Sequence, residues 1–271
     1  MRFTRLSATP FQLDTLPSEL PSDADLSAPT AGSGTWVSAP GASLDRGVTV
    51  YVHGGGFQFA NPDVERVMAY RLSQATGRPV MAVDYRLAPA HRYPAALDDV
   101  VAAYRSLTVP ASKVILAGES AGGTLVLSAL LVLKEAGDPL RGGALVVSPQ
   151  TDMTLSSPSI EANDGLDVVN RFVLDHVRTQ YLDGAAPDRA PQSPLHGDLR
   201  GLPPLLLLAG EREVMLDDAR RFAEAASDAG VDVELDVYEN MTHAFHAAIL
   251  PGDPPPVAAT LMERISRWSD R

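Results

Sequence analysis

The feature that most narrows what this chain can fold into is a reversal of backbone direction with no spacer. A strand-like run, Lys113 to Ala117, passes through Gly118-Glu119-Ser120-Ala121-Gly122-Gly123 directly into an apolar helix-like run, Ala121 to Glu135. Both runs are apolar enough to be buried, which places the strand inside a sheet and the helix against it. The same rhythm extends in both directions. Strand-like Val48 to His53, helix-like Asp63 to Thr76, strand-like Pro79 to Asp84 and helix-like Ala95 to Leu107 come before the turn. Strands at Ala144 to Ser148 and Leu205 to Ala209, a helix at Leu216 to Ala229, a strand at Val233 to Tyr238 and a helix from Pro256 to Ser269 come after it. This alternation predicts an α/β domain with a mostly parallel central sheet flanked by helices, and 271 residues suffice for one such core.

Two stretches depart from the rhythm. Residues 1–34 are rich in Pro, Ser, Asp and Thr with scattered Leu and Phe, and no regular element can be read there. From Asp152 to Pro204 the alternation stops and only one helix-like run appears, Val168 to Tyr181. That interval reads as an insertion over about 153–200. It follows the C-terminal end of a parallel strand, where open α/β sheets bind ligands, so it is expected to lid a cleft.

Charge and composition remove several kinds of partner and chemistry. With 34 acidic against 22 basic residues the formal charge is -12, which repels phosphate backbones and anionic lipid surfaces. Neither nucleic acid nor a membrane is an expected partner. The chain has no Cys, which excludes thiol nucleophiles, disulfides and Cys-based zinc sites. Lys113 and Lys134 are the only lysines, and neither sits where a Schiff base would be made. There is no phosphate-binding Gly loop, no His-Glu-x-x-His and no calcium loop, so no metal and no organic cofactor is expected. The longest apolar stretches, Leu125 to Leu133 and Leu202 to Ala209, fall well short of the roughly 20 residues that span a bilayer. The first twenty residues lack an apolar run of signal-peptide length, and a cytoplasmic protein is expected. What remains is unassisted side-chain chemistry.

The Gly-Glu-Ser-Ala-Gly-Gly turn is the first candidate for that chemistry. A strand turning straight into a helix forces its central residue into strained backbone geometry and leaves no room for side chains two positions to either side. Gly118 and Gly122 meet that demand. The Ser120 hydroxyl is then lifted clear of the sheet at the positive end of a helix, as a nucleophile. The plainer alternative is that Ser120 is only an N-cap on a flexible turn. The second candidate is His53-Gly54-Gly55-Gly56-Phe57, directly after the strand Val48 to Val52. Without Cβ atoms, the Gly54 and Gly55 amides can approach a substrate oxygen and, with the Ala121 amide, form an oxyanion hole. Phe57 and Glu119, beside these motifs, are candidates for contacting substrate.

A serine hydroxyl needs a base, and the base needs an orienting carboxylate. In the chain order Ser, acid, His, only His243 and His246 among the six histidines follow the last long strand. His243, a short loop past Tyr238, is the preferred base, His246 falls on the next helical turn, and His53 is structural. The strand Leu205 to Ala209 ends in a loop where Glu211, Glu213, Asp217 and Asp218 crowd together. Asp217 and Asp218 lie where a helix begins, the place for capping. Glu213 is the preferred acid, with Glu211 and Asp217 as alternatives.

Taken together the motifs resemble those of the bacterial hormone-sensitive-lipase-like esterases, of the α/β-hydrolase superfamily. Besides the two Gly motifs, the resemblance rests on Asp84-Tyr85-Arg86-Leu87-Ala88-Pro89 with Tyr93-Pro94-Ala95-Ala96, on Ser193-Pro194-Leu195 followed by Leu202-Pro203-Pro204, and on Glu213 to Asp218. It runs from about Val48 to the C-terminus. It implies an α/β-hydrolase fold with residues 35–271 as the catalytic domain and a small helical cap built from residues 1–34 plus the insertion. It also implies a triad of Ser120, Glu213 and His243 acting on small-molecule short-chain acyl esters through an acyl-enzyme. A dedicated lactone hydrolase, deacetylase or formamidase is the alternative, and a non-catalytic ligand receptor a more distant one. Relatives often pair through the sheet edge, so a homodimer would use Val233 to Tyr238. The chain departs from the family pattern at Ala90, where an acidic residue is usual, and at Gln150, often aromatic.

Overall fold

The computed structural model describes every residue of the chain except Asp14 and Arg141. In chain order the elements are β1 (Arg2–Leu6), β2 (Thr35–Val37), β3 (Val48–Val52), α1 (Pro62–Thr76), β4 (Val80–Ala82), α2 (Ala95–Arg105), β5 (Val114–Glu119) and α3 (Ala121–Glu135). They continue with β6 (Gly143–Val147), the single turn α4 (Ser159–Ala162), α5 (Arg171–Leu182), β7 (Leu205–Gly210), α6 (Leu216–Asp228), β8 (Val233–Tyr238) and α7 (Pro256–Ser269). The strands form one sheet in the order β1-β8-β7-β6-β5-β3-β4-β2, parallel throughout except for β2, which runs antiparallel to β4.

The central strands carry no polar face because both of their faces are covered. Val48, Val50 and Val52 of β3 point into a core shared with α2, α3 and α6. Tyr51 on the same strand points the other way, into a core shared with α1 and α7. Period-two alternation thus feeds two apolar layers, which is why these strands read as continuous apolar runs. Helix ends are set locally. Pro62 opens α1, the Asn61 side chain accepts from Val64 N–H at 3.4 Å, and the helix stops at left-handed Gly77. Asn170 caps α5 by accepting from Val173 N–H at 3.0 Å.

The first residues of the N-terminal segment, expected in the cap, lie on the sheet edge instead. Arg2–Leu6 is a parallel edge strand on β8, with Arg2 opposite Glu234 and Leu6 opposite Tyr238. It is held through ion pairs, Arg2 to Asp232 at 2.9 Å and Arg5 to Glu239 at 2.8 Å. The β8 edge is therefore covered by the chain itself, and the free β8 seam expected for pairing is absent. Farther along, among the described residues, the segment reaches the cleft at Leu16. The insertion after β6 carries α4 and α5 and lies over the C-terminal ends of the strands, where Val169, Val173, Leu174 and Val177 face the cavity described below. Among the described residues, no helix is long and apolar enough to cross a membrane.

Candidate active site

The site begins at the turn between β5 and α3. Ser120 has φ 52° and ψ -124°, a backbone conformation that L-residues enter only under tertiary constraint. The constraint is visible on both sides. A Cβ on Gly118 would lie 2.6 Å from Gly122 O, and one on Gly122 would lie 2.0 Å from Val52 O. Any side chain there would push β5, α3 or β3 apart. Ser120 N–H is tied to Val147 O at 2.8 Å, and Ser120 O accepts from Thr124 N–H at 3.0 Å.

Two loops bring partners to the Ser120 hydroxyl. His243 lies beyond β8, with Nε2 2.9 Å from Ser120 Oγ and Nδ1 3.3 Å from Glu213 Oε2. Glu213 lies beyond β7 and is fully buried. Its other oxygen accepts from Ser148 Oγ at 2.8 Å and from Gly210 N–H. The serine, imidazole and carboxylate form one continuous hydrogen-bonded relay. The alternative acids are used elsewhere. Glu211 accepts from Asn240 N–H at 3.1 Å and pairs with Arg5, while Asp217 accepts from Ser159 N–H at 2.9 Å. Asp218 accepts from Thr151 and Asp152 N–H at 2.7 and 2.8 Å, and burial raises its carboxyl to about 6. His246 is half-buried beside the cavity, and desolvation first and the neighbouring His243 second lower its pKa to about 3, so it is neutral near pH 7.

The glycine loop after β3 has a different arrangement from the expected one. Gly54 N–H donates to Glu119 Oε1 at 2.8 Å, so this amide is already committed and is not a free oxyanion donor. Among the described residues, the Gly55 and Gly56 amides donate to no other group. Ala121 opens α3, and its N–H has no carbonyl one turn back to meet. Tyr51 OH donates to the same Glu119 oxygen at 2.9 Å. Burial is the main reason that Glu119 is pushed up to about 8, and the nearby Glu65 adds to the shift. His53 stacks on Tyr85 with ring centroids 4.2 Å apart, and burial lowers its pKa, a structural role under the loop.

A cavity of about 440 Å³ opens over Ser120. Its wall is mainly apolar, with Phe59, Val64, Met68, Val173, Met215 and Leu250 around the glycine loop, Ser120 and His243. Phe57 and Glu119 border it, but neither stands free to grip a ligand. Phe57 is 1% exposed and stacks on Tyr181 at 3.9 Å, and the Glu119 carboxyl is occupied by Tyr51 and Gly54. Phe59, 73% exposed at the mouth, was not singled out in the sequence, because a lone aromatic two residues past a motif carries no signal. Gln150 lines the cavity with its Nε2 unpaired, at the position where the sequence departs from the aromatic pattern. Ser148 and Asp167, which bind the acid and base loops, also had no sequence signature; only the folded chain brings them there.

A family model for the α/β-hydrolase fold matches residues 49–247. An acetyl-hydrolase of Streptomyces hygroscopicus is 38% identical over 209 residues, 76% of this chain and 70% of that protein. An esterase of Acinetobacter venetianus is 36% identical over 200 residues, 72% of this chain and 66% of that protein. The crystal structure of an esterase from the bacterial hormone-sensitive lipase family superposes with a TM-score of 0.85 at 37% identity, covering 93% of this chain and 85% of the other.

Proposed function

Because the chain belongs to the α/β-hydrolase family, among the bacterial hormone-sensitive-lipase-like esterases, we propose that it is a serine carboxylic-ester hydrolase working on short-chain acyl esters through an acyl-enzyme. The observation that carries this reading is the unbroken relay from Glu213 Oε2 through His243 to Ser120 Oγ in the wall of an apolar cavity. His243 Nε2 takes the hydroxyl proton as Oγ attacks the ester carbonyl, and Glu213 holds Nδ1–H and with it the tautomer that leaves Nε2 free. The Gly55 and Ala121 amides, with Gly56 beside them, donate to the oxygen as it becomes negative. Glu119 holds the loop through Gly54 and takes no proton from the substrate. His243 then passes its proton to the leaving alcohol, and the same imidazole activates the water that clears the acyl group.

A wall with few polar groups suits small apolar acyl and alcohol parts better than sugars or charged head groups. Hydrolysis of p-nitrophenyl acetate and butyrate is the direct test. Ser120→Ala is expected to lower kcat by three or more orders of magnitude, leaving about the residual catalysis that binding and oxyanion donors alone supply. Equal turnover by parent and variant would refute the assignment.

A further inference from the structure

Asp167 lies in the insertion, between α4 and α5, 47 residues before Val214 and 76 before His243. Its Oδ2 accepts from Val214 N–H at 2.8 Å, and its Oδ1 accepts from His243 N–H at 2.7 Å. Oδ1 also accepts from Val168 N–H, 2.8 Å away, as hinted by no motif in the chain. Val214 directly follows the acid of the relay, so one carboxylate holds the main chain of the acid loop with one oxygen and of the base loop with the other. Four residues earlier, Asn163 Nδ2 donates to Glu213 O at 2.8 Å and Glu211 O at 3.2 Å.

Apart from this grip, the hydrogen bonds between the two loops among the described residues lie upstream of the relay residues. Glu211 N–H donates to Tyr238 O at 2.9 Å, Arg212 N–H to Met241 O at 2.8 Å, and the Arg212 guanidinium to Asn240 Oδ1 at 2.8 Å. Asn240 N–H closes back on Glu211. None of these contacts involves Val214 or His243. Among the described residues, no helix or strand spans the end of each loop where Glu213 and His243 face one another. The Nδ1 to Oε2 distance, 3.3 Å, is long for such a bond, and small loop displacements would break it. Bonds from neutral N–H groups to a carboxylate are the short, strong kind.

We propose that Asp167 is a positioning residue that sets the acid loop against the base loop, so that the insertion completes the relay as well as covering the cavity. The proposal rests on the reading of Ser120, His243 and Glu213 as the hydrolytic machinery. It also ties substrate contact to alignment, because Val169, two residues beyond Asp167, lines the cavity while Leu166 and Val168 on either side of it are exposed.

The test compares Asp167→Ala and Asp167→Asn with the parent in p-nitrophenyl butyrate hydrolysis, with kcat and KM determined separately and thermal midpoints recorded. Asp167→Ala is expected to lower kcat by about a hundredfold, the effect of a misplacement near 1 Å, with little change in KM. Asp167→Asn keeps one carbonyl oxygen and with it one of the two loop contacts, so it recovers part of the loss. Phosphorylation of Ser120 by p-nitrophenyl diethyl phosphate slows in parallel with kcat. An Asp167→Ala kcat within twofold of the parent, or a loss confined to KM, overturns the proposal. Should Asp167→Ala fail to fold, Asp167→Asn decides alone: parental kcat overturns it, and a reduced kcat with a parental midpoint supports it. Failure of the hydrolase reading itself is distinguishable, since Ser120 of the parent would then resist the phosphate ester altogether.

Discussion

The two loops that converge on Ser120 are each tied down through a glutamate, and the two glutamates are treated in opposite ways. Glu213, under the base, spreads its contacts over both oxygens: Ser148 Oγ and Gly210 N–H on one, the His243 ring on the other. Glu119, under the glycine loop, loads Tyr51 OH and Gly54 N–H on a single oxygen and has Glu65 for a neighbour. Burial with that limited compensation pushes Glu119 up to about 8, so near neutral pH it is a protonated acid. The difference teaches how one site separates two electrostatic needs. In the proposed mechanism the base wants a negative partner, whereas a full negative charge next to the proposed oxyanion donors would oppose the charge that develops there. A neutral carboxyl can still accept from Gly54 and Tyr51 while adding no charge.

The largest expected effect breaks the charged half of this comparison. Glu213→Gln preserves the size of the side chain but removes its charge and allows the imidazole to settle in the wrong tautomer. Steady-state hydrolysis of p-nitrophenyl butyrate is expected to show kcat lower by about three to four orders of magnitude. A loss of less than tenfold would mean that another carboxylate orients His243.

A smaller effect sharpens the neutral half. Glu119→Ala frees the Gly54 amide and unties the loop, and kcat is expected to fall by about ten- to a hundredfold. Glu119→Gln still presents a carbonyl oxygen to both donors and should stay within a few-fold of the parent near pH 7, where both side chains are uncharged. If Gln were as damaging as Ala, a charged Glu119 would be required and the contrast with Glu213 would vanish.

The smallest expected effect is on stability. An exposed glutamate in the unfolded chain has the ordinary value of 4.5, against about 8 in the fold. Between those values the folded state keeps a proton that the unfolded state releases. The stabilisation is complete below about pH 4.5 and is lost as pH rises through about 8. The thermal midpoint of the parent should therefore decline relative to Glu119→Gln between pH 5 and 8. A constant gap between the two across that range contradicts a protonated Glu119.

The parts of the fold that were legible in the chain are those whose residues are apolar for their own reasons. β5, α3 and β7 carry mostly apolar runs, and α3 and β8 in the structure have the bounds read from the sequence. β1 was not legible. Its side chains are mostly exposed on both faces, so no period of two appears, and it is held in place by ion pairs with residues more than 200 positions away. In the site, Ser120 stood out because strand, glycines and helix all act locally on one turn. The assignment of Gly54 as an oxyanion donor met an obstacle because three consecutive glycines look alike in a sequence, and which amide is free depends on where the Glu119 carboxyl lies. Among four clustered carboxylates, loop position favoured Glu213, while only the folded chain occupies Glu211 and Asp217 with other partners.

By itself, then, the amino-acid order determined what short-range forces can decide: which runs must be buried, where a strand has to break into a helix, and which hydroxyl that break presents. Only the tertiary structure decided which amides stay unpaired, which carboxyl is neutral, and what joins the acid loop to the base loop. The physical reason is that hydrogen-bond commitment and desolvation depend on neighbours brought together across long separations. Asp167 reaches the His243 amide from 76 residues away, and nothing in either segment alone encodes that meeting.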